Sequence, residues 1–412
     1  MEALSLFNTN KERVFFLTFC FVIFTTNLLF YYNDYLNFKD EEVFKTSAKV
    51  VNIYDKKSFS TLKLQTDNFT SFISVSKDVV LNKNDQITLY LLTEDISFVD
   101  YLKGFYTKGF NLSIISKETN ISNKLQKIIS SQHSNNNISS LYEALFIAIP
   151  VDKTLRDQFA KLGISHLIAI SGFHLGVLSI VLYFIFNTLY SPFHQKYIPY
   201  RNKKYDILIL TGIILFFYLL LTQLAPSLLR AFVMFVFGIF LLRNNIKILS
   251  FETLFIIVII IITLFPKLLF SLSLWFSIAG VFYIYLFLHY FKGLNKYIQI
   301  ALFNYWIYFA MNPITHYFFA TTAYEQLLSP IITIIFTIFY PLSLLLHIVN
   351  IGFLMDGVVN MMLSVNINSY EVFTPYWFFI GYIILSLASI FRKEAFYLLN
   401  FCFVGFNFYL FL

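Results

Sequence analysis

The sequence predicts a mainly α-helical polytopic membrane protein with a small all-β, OB-like domain inserted after the first transmembrane helix. Three observations carry this. Of the 412 residues, 58% are hydrophobic and only 13% charged, and mean hydropathy is +0.68, whereas a soluble domain has about 25% charged residues. Apolar runs of spanning length recur through the second half of the chain. Between them and the first such run lies a stretch, residues 33–120, in which charges return and short β-branched and aromatic runs alternate with turn residues. This pattern excludes a soluble globular protein. The two cysteines, Cys20 and Cys402, lie far apart in apolar runs, which excludes a disulfide framework and a Cys-rich metal site. A net charge of +7 is explained more readily by basic interhelical loops that set topology than by a nucleic-acid partner. The 20% aromatic content follows the general Phe, Ile, Asn, Lys and Tyr bias and identifies no stacking platform by itself.

The elements follow in order. Residues 1–32 hold the run Val14–Tyr32 preceded by Lys11 and Arg13, with no small-residue cleavage site, and read as a retained anchor with a cytoplasmic N-terminus. In residues 33–120, strands are expected at Ala48–Tyr54, Ser58–Leu64, Phe69–Val75 and Gln86–Leu92, in a barrel outside the cytoplasm. Residues 121–162 read as a helical turn, a flexible linker and an amphipathic stretch split by Pro150. The membrane core, residues 163–412, holds runs at 164–188, 205–224, 228–242, 251–265, 268–290, 298–311, 327–348, 373–391 and 395–412. Loops with Lys196, Arg201, Lys203 and Lys204, and with Arg243 and Lys247, fall inside by their charge. Residues 312–372 are not placed by this pattern. They contain two short segments, Pro313–Ala323 and Ile351–Val365, suited to broken or interfacial helices.

The first core run begins with the most unusual string of the chain, Gly163 to Gly176, which puts His166, His174, Ser165, Ser171 and three glycines at bilayer depth. Polar groups there either face a wet or protein-lined route or bond to neighbouring helices. His166 and His174 are eight residues apart, about 80° on an ideal helix, and Ser171-Gly172 between them weakens that helix. Two histidines with no nearby acid or cysteine make a poor metal set, and no metal or cofactor is expected. The string His166-Leu167-x-Ala169-x-Ser171-Gly172-x-His174-x-Gly176 resembles the signature of the ComEC/Rec2 competence family. Leu155, Arg156, Phe159 and Gly163 fit its approach, and Ala225-Pro226-Ser227-Leu228-Leu229-Arg230-Ala231 resembles the family's second motif.

That resemblance implies a channel passing single-stranded DNA across the bacterial cytoplasmic membrane during natural transformation. It names His166, Ser171, Gly172, His174, Gly176, Pro226, Ser227 and Arg230 as conduit or gate residues. It also implies a DNA receptor outside and a cytoplasmic ATPase or DNA-binding proteins inside. Arg230, one turn into a helix begun by Pro226, is open to two roles: meeting phosphate oxygens, or snorkelling to an interface. Lys45, Lys49, Lys56, Lys57 and Lys63 are candidate DNA contacts in the β-domain, with an ordinary lysine-protected edge as the rival reading. The chain departs from long relatives in having no His-x-His-x-Asp-His string of a metallo-β-lactamase-like domain and no Walker-type loop. Any nuclease or motor is therefore expected to be a separate protein, and the chain itself not an enzyme. A transporter or exporter of another anionic or polymeric solute on the same fold is the alternative. His133, His194, His289 and His347 read as packing or interfacial, and Asp356 with Asn360 as the wet face of an amphipathic stretch.

Overall fold

The computed structural model describes residues 7 and 9–412 apart from 57, 78–80, 82, 84, 117–120, 223, 245, 247 and 248, with the backbone alone at 116 and 226. The chain divides into two compact units. One comprises Phe7–Leu125 with Ile257–Leu274, the other Gln126–Ile256 with Trp275–Leu412.

The first unit is built on helix α1 (Asn10–Lys39) and strands β1 (Val43–Asp55), β2 (Ser60–Gln65), β3 (Thr70–Val75) and β4 (Gln86–Leu92). Helix α2 (Phe98–Lys103), β5 (Phe105–Tyr106) and β6 (Gly109–Ser116) follow. Strand β1 is long enough to serve two partners. Its first half pairs antiparallel with β4 and its second with β2, Lys49 meeting both Gln86 and Gln65. β2 pairs with β3, β3 runs parallel to β5, and β6, two residues beyond β5, pairs back onto β4. The sheet therefore closes through the β5–β6 strand, the connectivity of a small five-stranded barrel.

Alternation fills its interior. Val50, Leu62, Leu64, Ile73, Ile87, Leu89 and Leu91 are buried, and the residues beside them are more exposed apart from Thr61 at the start of β2. The last turn of α1 caps this core. Phe38 packs against Phe44, Phe69, Tyr101 and Phe105, and the Tyr35 hydroxyl donates to the Ile96 carbonyl at 2.9 Å. A 3₁₀ turn at Pro266–Phe270 adds Lys267, whose ammonium donates to the Asn68 carbonyl and lies 4.2 Å from the Tyr31 ring centre. Burial lowers the pKa of Lys267 to about 8, against a smaller raising effect of Asp34.

The second unit is helical. Its elements are α3 (Ile121–Ser130), α4 (Asn136–Ile147), α5 (Lys153–Lys161), α6 (Ser165–Ile168), α7 (Gly172–Tyr197), α8 (Lys203–Leu221), α9 (Pro226–Arg243) and α10 (Phe251–Leu264). These are followed by α11 (Leu272–Tyr290), α12 (Lys296–Phe318), α13 (Ser329–Ile348), α14 (Asp356–Leu363), α15 (Tyr376–Ala388) and α16 (Lys393–Phe411). The division into units cuts through α3, α10 and α11. Among the described residues, six helices are long and apolar enough to cross a membrane: α1, α7, α8, α11, α13 with its preceding turn, and α16.

Residues 312–372, which the hydrophobic pattern left open, resolve into the end of α12, a two-residue ribbon of β7 (Thr321–Thr322) with β8 (Tyr370–Glu371), α13 and the short α14. Pro313 does not end α12, which runs on to Phe318. Residues 121–130 form a ten-residue helix where a single turn was expected. The amphipathic stretch after it becomes α4 and α5, with α4 buried from Ile138 to Ile147 apart from Ser140 and closed by Ala148 in the left-handed region.

Two apolar clusters organise this unit. α7, α8 and α9 meet around Leu175, Leu215, Leu219 and Leu228. α11, α12, α15 and α16 meet around Tyr283, Phe287, Trp306, Tyr382 and Phe403. Polar pairs lace the second, as expected where apolar burial alone gives helices no reason to prefer each other over lipid. Asn312 donates to Asn407 at 2.6 Å and Trp306 to Asn400 at 2.8 Å.

Candidate functional site

The signature string does not form one helix. α5 ends at Lys161, and Gly163 turns the chain with φ +70, a conformation in which a Cβ would also meet Gln326 at 3.2 Å and Ser329 at 3.3 Å. Ser329 fixes this turn by donating to the Gly163 carbonyl at 2.9 Å, and Gln326 donates to the Ala160 carbonyl at 3.0 Å. The single helical turn α6 follows, Ala169 is extended, and α7 starts only at Gly172. The run expected from residue 164 therefore loses its first eight residues to a turn and a break. The reason is local chemistry at Ser171.

Ser171 is the N-cap of α7. Its Oγ accepts from the Phe173 N–H at 3.3 Å, and its own N–H donates to His174 Nδ1 at 3.2 Å. His174 thus takes the place usually held by Glu or Gln in a reciprocal capping box. Because Nδ1 accepts, the neutral ring carries its proton on Nε2. That atom is buried with no hydrogen-bond partner among the described residues, and the ring, 0% exposed, sits edge-on to Phe336 and Tyr340 of α13. The Tyr340 hydroxyl in turn meets that of Tyr218 on α8 at 3.2 Å.

The second motif lies against the same break. Pro226 opens α9 at a position where its missing N–H costs nothing. Ser227 Oγ donates to the carbonyl of Ile170, satisfying a backbone acceptor that the break leaves free. A Cβ on Gly172 would touch that of Ala231 at 3.3 Å, so α7 and α9 approach closely there, whereas Gly176 has nothing within 4 Å. Arg230 is 5% exposed, one turn into α9, and does not snorkel outward. His166 on α6 is exposed, with Nε2 3.5 Å from Thr333 Oγ1 of α13.

Both motifs converge, then, on one junction of α6, α7, α9 and α13. Sequence reading missed the α13 side of it: Gln326, Ser329, Thr333, Phe336 and Tyr340. The polar string Tyr324-Glu325-Gln326 reads as an exposed loop, but Gln326 is 5% exposed and holds the Gly163 turn. The signals available were its closeness in sequence to an apolar run and a weaker resemblance to the family over Thr315–Pro341. No group of three or more His, Cys, Asp or Glu side chains among the described residues is placed to hold a metal ion.

In the barrel, Lys45, Lys49 and Lys63 share the outward face, each flanked along its strand by buried or inward residues. Two cross-strand rows stand there. Lys45 pairs with Tyr90, which stacks on Phe110 at 5.8 Å, and Lys63 pairs with Phe72, which stacks on Tyr106 at 4.7 Å. Each ammonium lies over the nearer ring, at 5.8 and 6.0 Å. Lys56 sits apart, at the β1–β2 turn over Phe59, and Lys57 lies outside the described residues.

Neither a curated protein nor a solved structure matches the chain. The model of one protein family, described as competence protein, matches residues 150–404, which contain the whole α6–α7–α9–α13 junction and more than half of the chain. With the two motifs of the ComEC/Rec2 type meeting at that junction, the chain belongs to the competence protein family.

Proposed function

We propose that this protein is a conduit for single-stranded DNA across the bacterial cytoplasmic membrane, with the barrel unit outside and the N-terminus inside. Family membership gives the role in DNA uptake for natural transformation. The observation that favours a single strand is the outward face of the barrel. Tyr106 and Phe110 are 71% and 45% exposed, each stacked on a second ring that has a lysine over it. Unpaired bases stack on such rings regardless of sequence while ammonium groups follow the phosphates, and stacking contributes about 1–3 kcal/mol per base. A duplex hides its base faces and has no use for these rows. Lys45, Lys49 and Lys63 are the phosphate contacts in this reading.

Within the helical unit the strand passes the break between α6 and α7. His166 is exposed there, and Arg230, buried against the same junction, supplies the cation that draws phosphate to it. Ser171, Gly172, Ser227 and His174 shape the break, while Pro226 starts the helix that carries Arg230. The DNA receptor, the nuclease and the ATPase are separate partners in this scheme, and the chain performs no covalent chemistry.

The full-length protein in nanodiscs tests the barrel step by its binding of a fluorescent oligothymidylate. The double substitution Phe72→Ala with Tyr106→Ala should weaken binding at least tenfold and leave thermal stability within a few degrees. Equal affinity of the wild type for single-stranded and duplex DNA, or no effect of the double substitution, sinks this reading. In cells, loss of the gene should abolish transformants while DNA still reaches a nuclease-protected state, and Arg230→Ala with normal membrane insertion should do the same.

A further inference from the structure

Away from that junction, the helical unit holds a chain of side chains that the proposed conduit does not use. His133, in the turn between α3 and α4, places Nδ1 2.8 Å from Asp356 Oδ1 and Nε2 2.9 Å from Nε2 of His347. His347, in the last turn of α13, places its own Nδ1 2.6 Å from the Ser343 carbonyl. The side chain of His133 is fully buried and His347 is 6% exposed. Asn360 is exposed, as expected of a wet face, whereas Asp356 is half-buried and turned to a partner. Asp356 holds His133, and Asn360 accepts from Asn135 at 3.3 Å.

Counting protons decides what this chain is. Its two ends, a carbonyl and a carboxylate, only accept, so both Nδ1 atoms must carry hydrogen. The two Nε2 atoms then face each other at hydrogen-bond distance, and one of them must carry hydrogen as well. Three contacts need three protons, whereas two neutral imidazoles bring two. With both rings neutral, one contact becomes a pair of facing lone pairs. With both rings protonated, two N–H groups face each other between the imidazoles. With Asp356 ionised, only the singly protonated pair satisfies every contact, and beside that carboxylate it is electrically neutral, which suits a buried site.

We propose that His133, His347 and Asp356 form a binding site for a single proton, shared between the two Nε2 atoms, which latches the α3–α4 turn to α13 and α14. The surroundings fit this assignment. Tyr142 of α4 stacks on His133 at 4.8 Å and lies 4.4 Å from His347, Phe146 meets His347 edge-on at 4.9 Å, and the Tyr142 hydroxyl is buried with no hydrogen-bond partner among the described residues. The acid on α4, Glu143, is held by Gln126 and Ser139 at 2.9 and 3.2 Å. Asp356 is thus the acid in contact with the pair.

Gln132 completes the latch. Its Oε1 accepts from the Gly352 N–H at 2.9 Å and its Nε2 donates to the His347 carbonyl at 3.1 Å. Gly352 leaves the room for this, since a Cβ there would come within 2.7 Å of both Gln132 Oε1 and His347 Nε2. The latch is closed only within a bounded pH window. It opens as pH rises through the value at which the pair loses its proton, and again as pH falls through the value at which the pair takes a second. Both values belong to the pair rather than to either ring.

The test uses the full-length protein in nanodiscs with ¹⁵N-labelled histidine. Inside the window, a coupling across the hydrogen bond should link one nitrogen of His133 to one of His347, and it should vanish on both the acid and alkaline sides. Asp356→Asn removes the balancing charge and should move the alkaline limit down by about one pH unit or more, a tenfold loss of proton affinity. Coupling that persists unchanged to pH 9, or never forms, overturns the proposal, as does an alkaline limit unmoved in Asp356→Asn. So does stoichiometric zinc or copper in the purified protein that His133→Gln removes, because a metal would then occupy the space between the imidazoles. None of these outcomes depends on DNA binding, so the site and the conduit stand or fall separately.

Discussion

Two polar clusters in the helical unit use histidine in opposite ways. At the α6–α7 break, His174 is spent on its own chain: it caps Ser171 three residues away, and Ser227 takes up the Ile170 carbonyl. At the α3–α4 turn, His133 reaches partners 214 and 223 residues away, and the contacts close only with one added proton. The first cluster repairs a broken helix through contacts close in sequence, while the second ties distant elements together and, in the latch proposed above, does so through a shared proton. A buried histidine therefore has no single meaning in this protein. What distinguishes the two is whether its ring nitrogens serve backbone groups nearby or side chains far along the chain.

The largest effect that probes this contrast is expected at Gly163. Alanine there would occupy the left-handed region, at about 1–2 kcal/mol, and press on Gln326 and Ser329 at 3.2–3.3 Å, with overpacking adding about 1–3 kcal/mol. Gly163→Ala should lower the unfolding free energy of the purified protein in detergent by about 2–4 kcal/mol. A change under 1 kcal/mol would mean that the turn is not anchored by α13.

Next comes a double-mutant cycle. Ser171→Ala should cost about 1 kcal/mol as a lost N-cap, and His174→Gln less, because glutamine is a normal partner in a capping box. Combined with His174→Ala, Ser171→Ala should be clearly non-additive, since each residue satisfies the other. Combined with His133→Gln it should be additive within about 0.5 kcal/mol, as for sites with no shared partners. Strong coupling between Ser171 and His133 would merge the two clusters and remove the contrast.

How much of this was legible follows from sequence distance. The long helices and β1–β4 announced themselves through apolar run length and alternation, but α7 starts eight residues late because Ser171 caps it, α12 runs on to Phe318, and α2, β5 and the closing strand β6 were not foreseen. That cap was visible in principle as Ser-x-x-His, but His is not the usual third residue, and Ser-Gly read only as a weakness. The convergence of the two motifs was legible through resemblance to a family. The α13 contacts and the His133–His347–Asp356 chain were not, because partners more than 150 residues apart leave no local period, and Asp356 with Asn360 has the spacing of any wet helix face. The stacked pairs on the barrel were hidden differently. Their residues were plain, but in a chain that is 20% aromatic only the strand register reveals which rings meet.

The smallest effect is expected where the signature looks most like a packing motif. Gly172 and Gly176 have the small-xxx-small spacing that lets helices touch, yet only Gly172 sits against another helix. Gly172→Ala must push Ala231 by a few tenths of an ångström and should be mildly destabilising, by less than about 1 kcal/mol. Gly176→Ala meets nothing within 4 Å and removes a flexible residue from the first turns of α7. It should therefore leave stability unchanged or raise it, by up to about 1 kcal/mol. Transformation frequency separates the two remaining roles of this residue. If Gly176→Ala is stable but transformation falls, the open space beside it belongs to the route of the strand. Unaltered transformation removes Gly176 from the conduit and leaves the break itself, between Ala169 and Gly172, as the feature that matters.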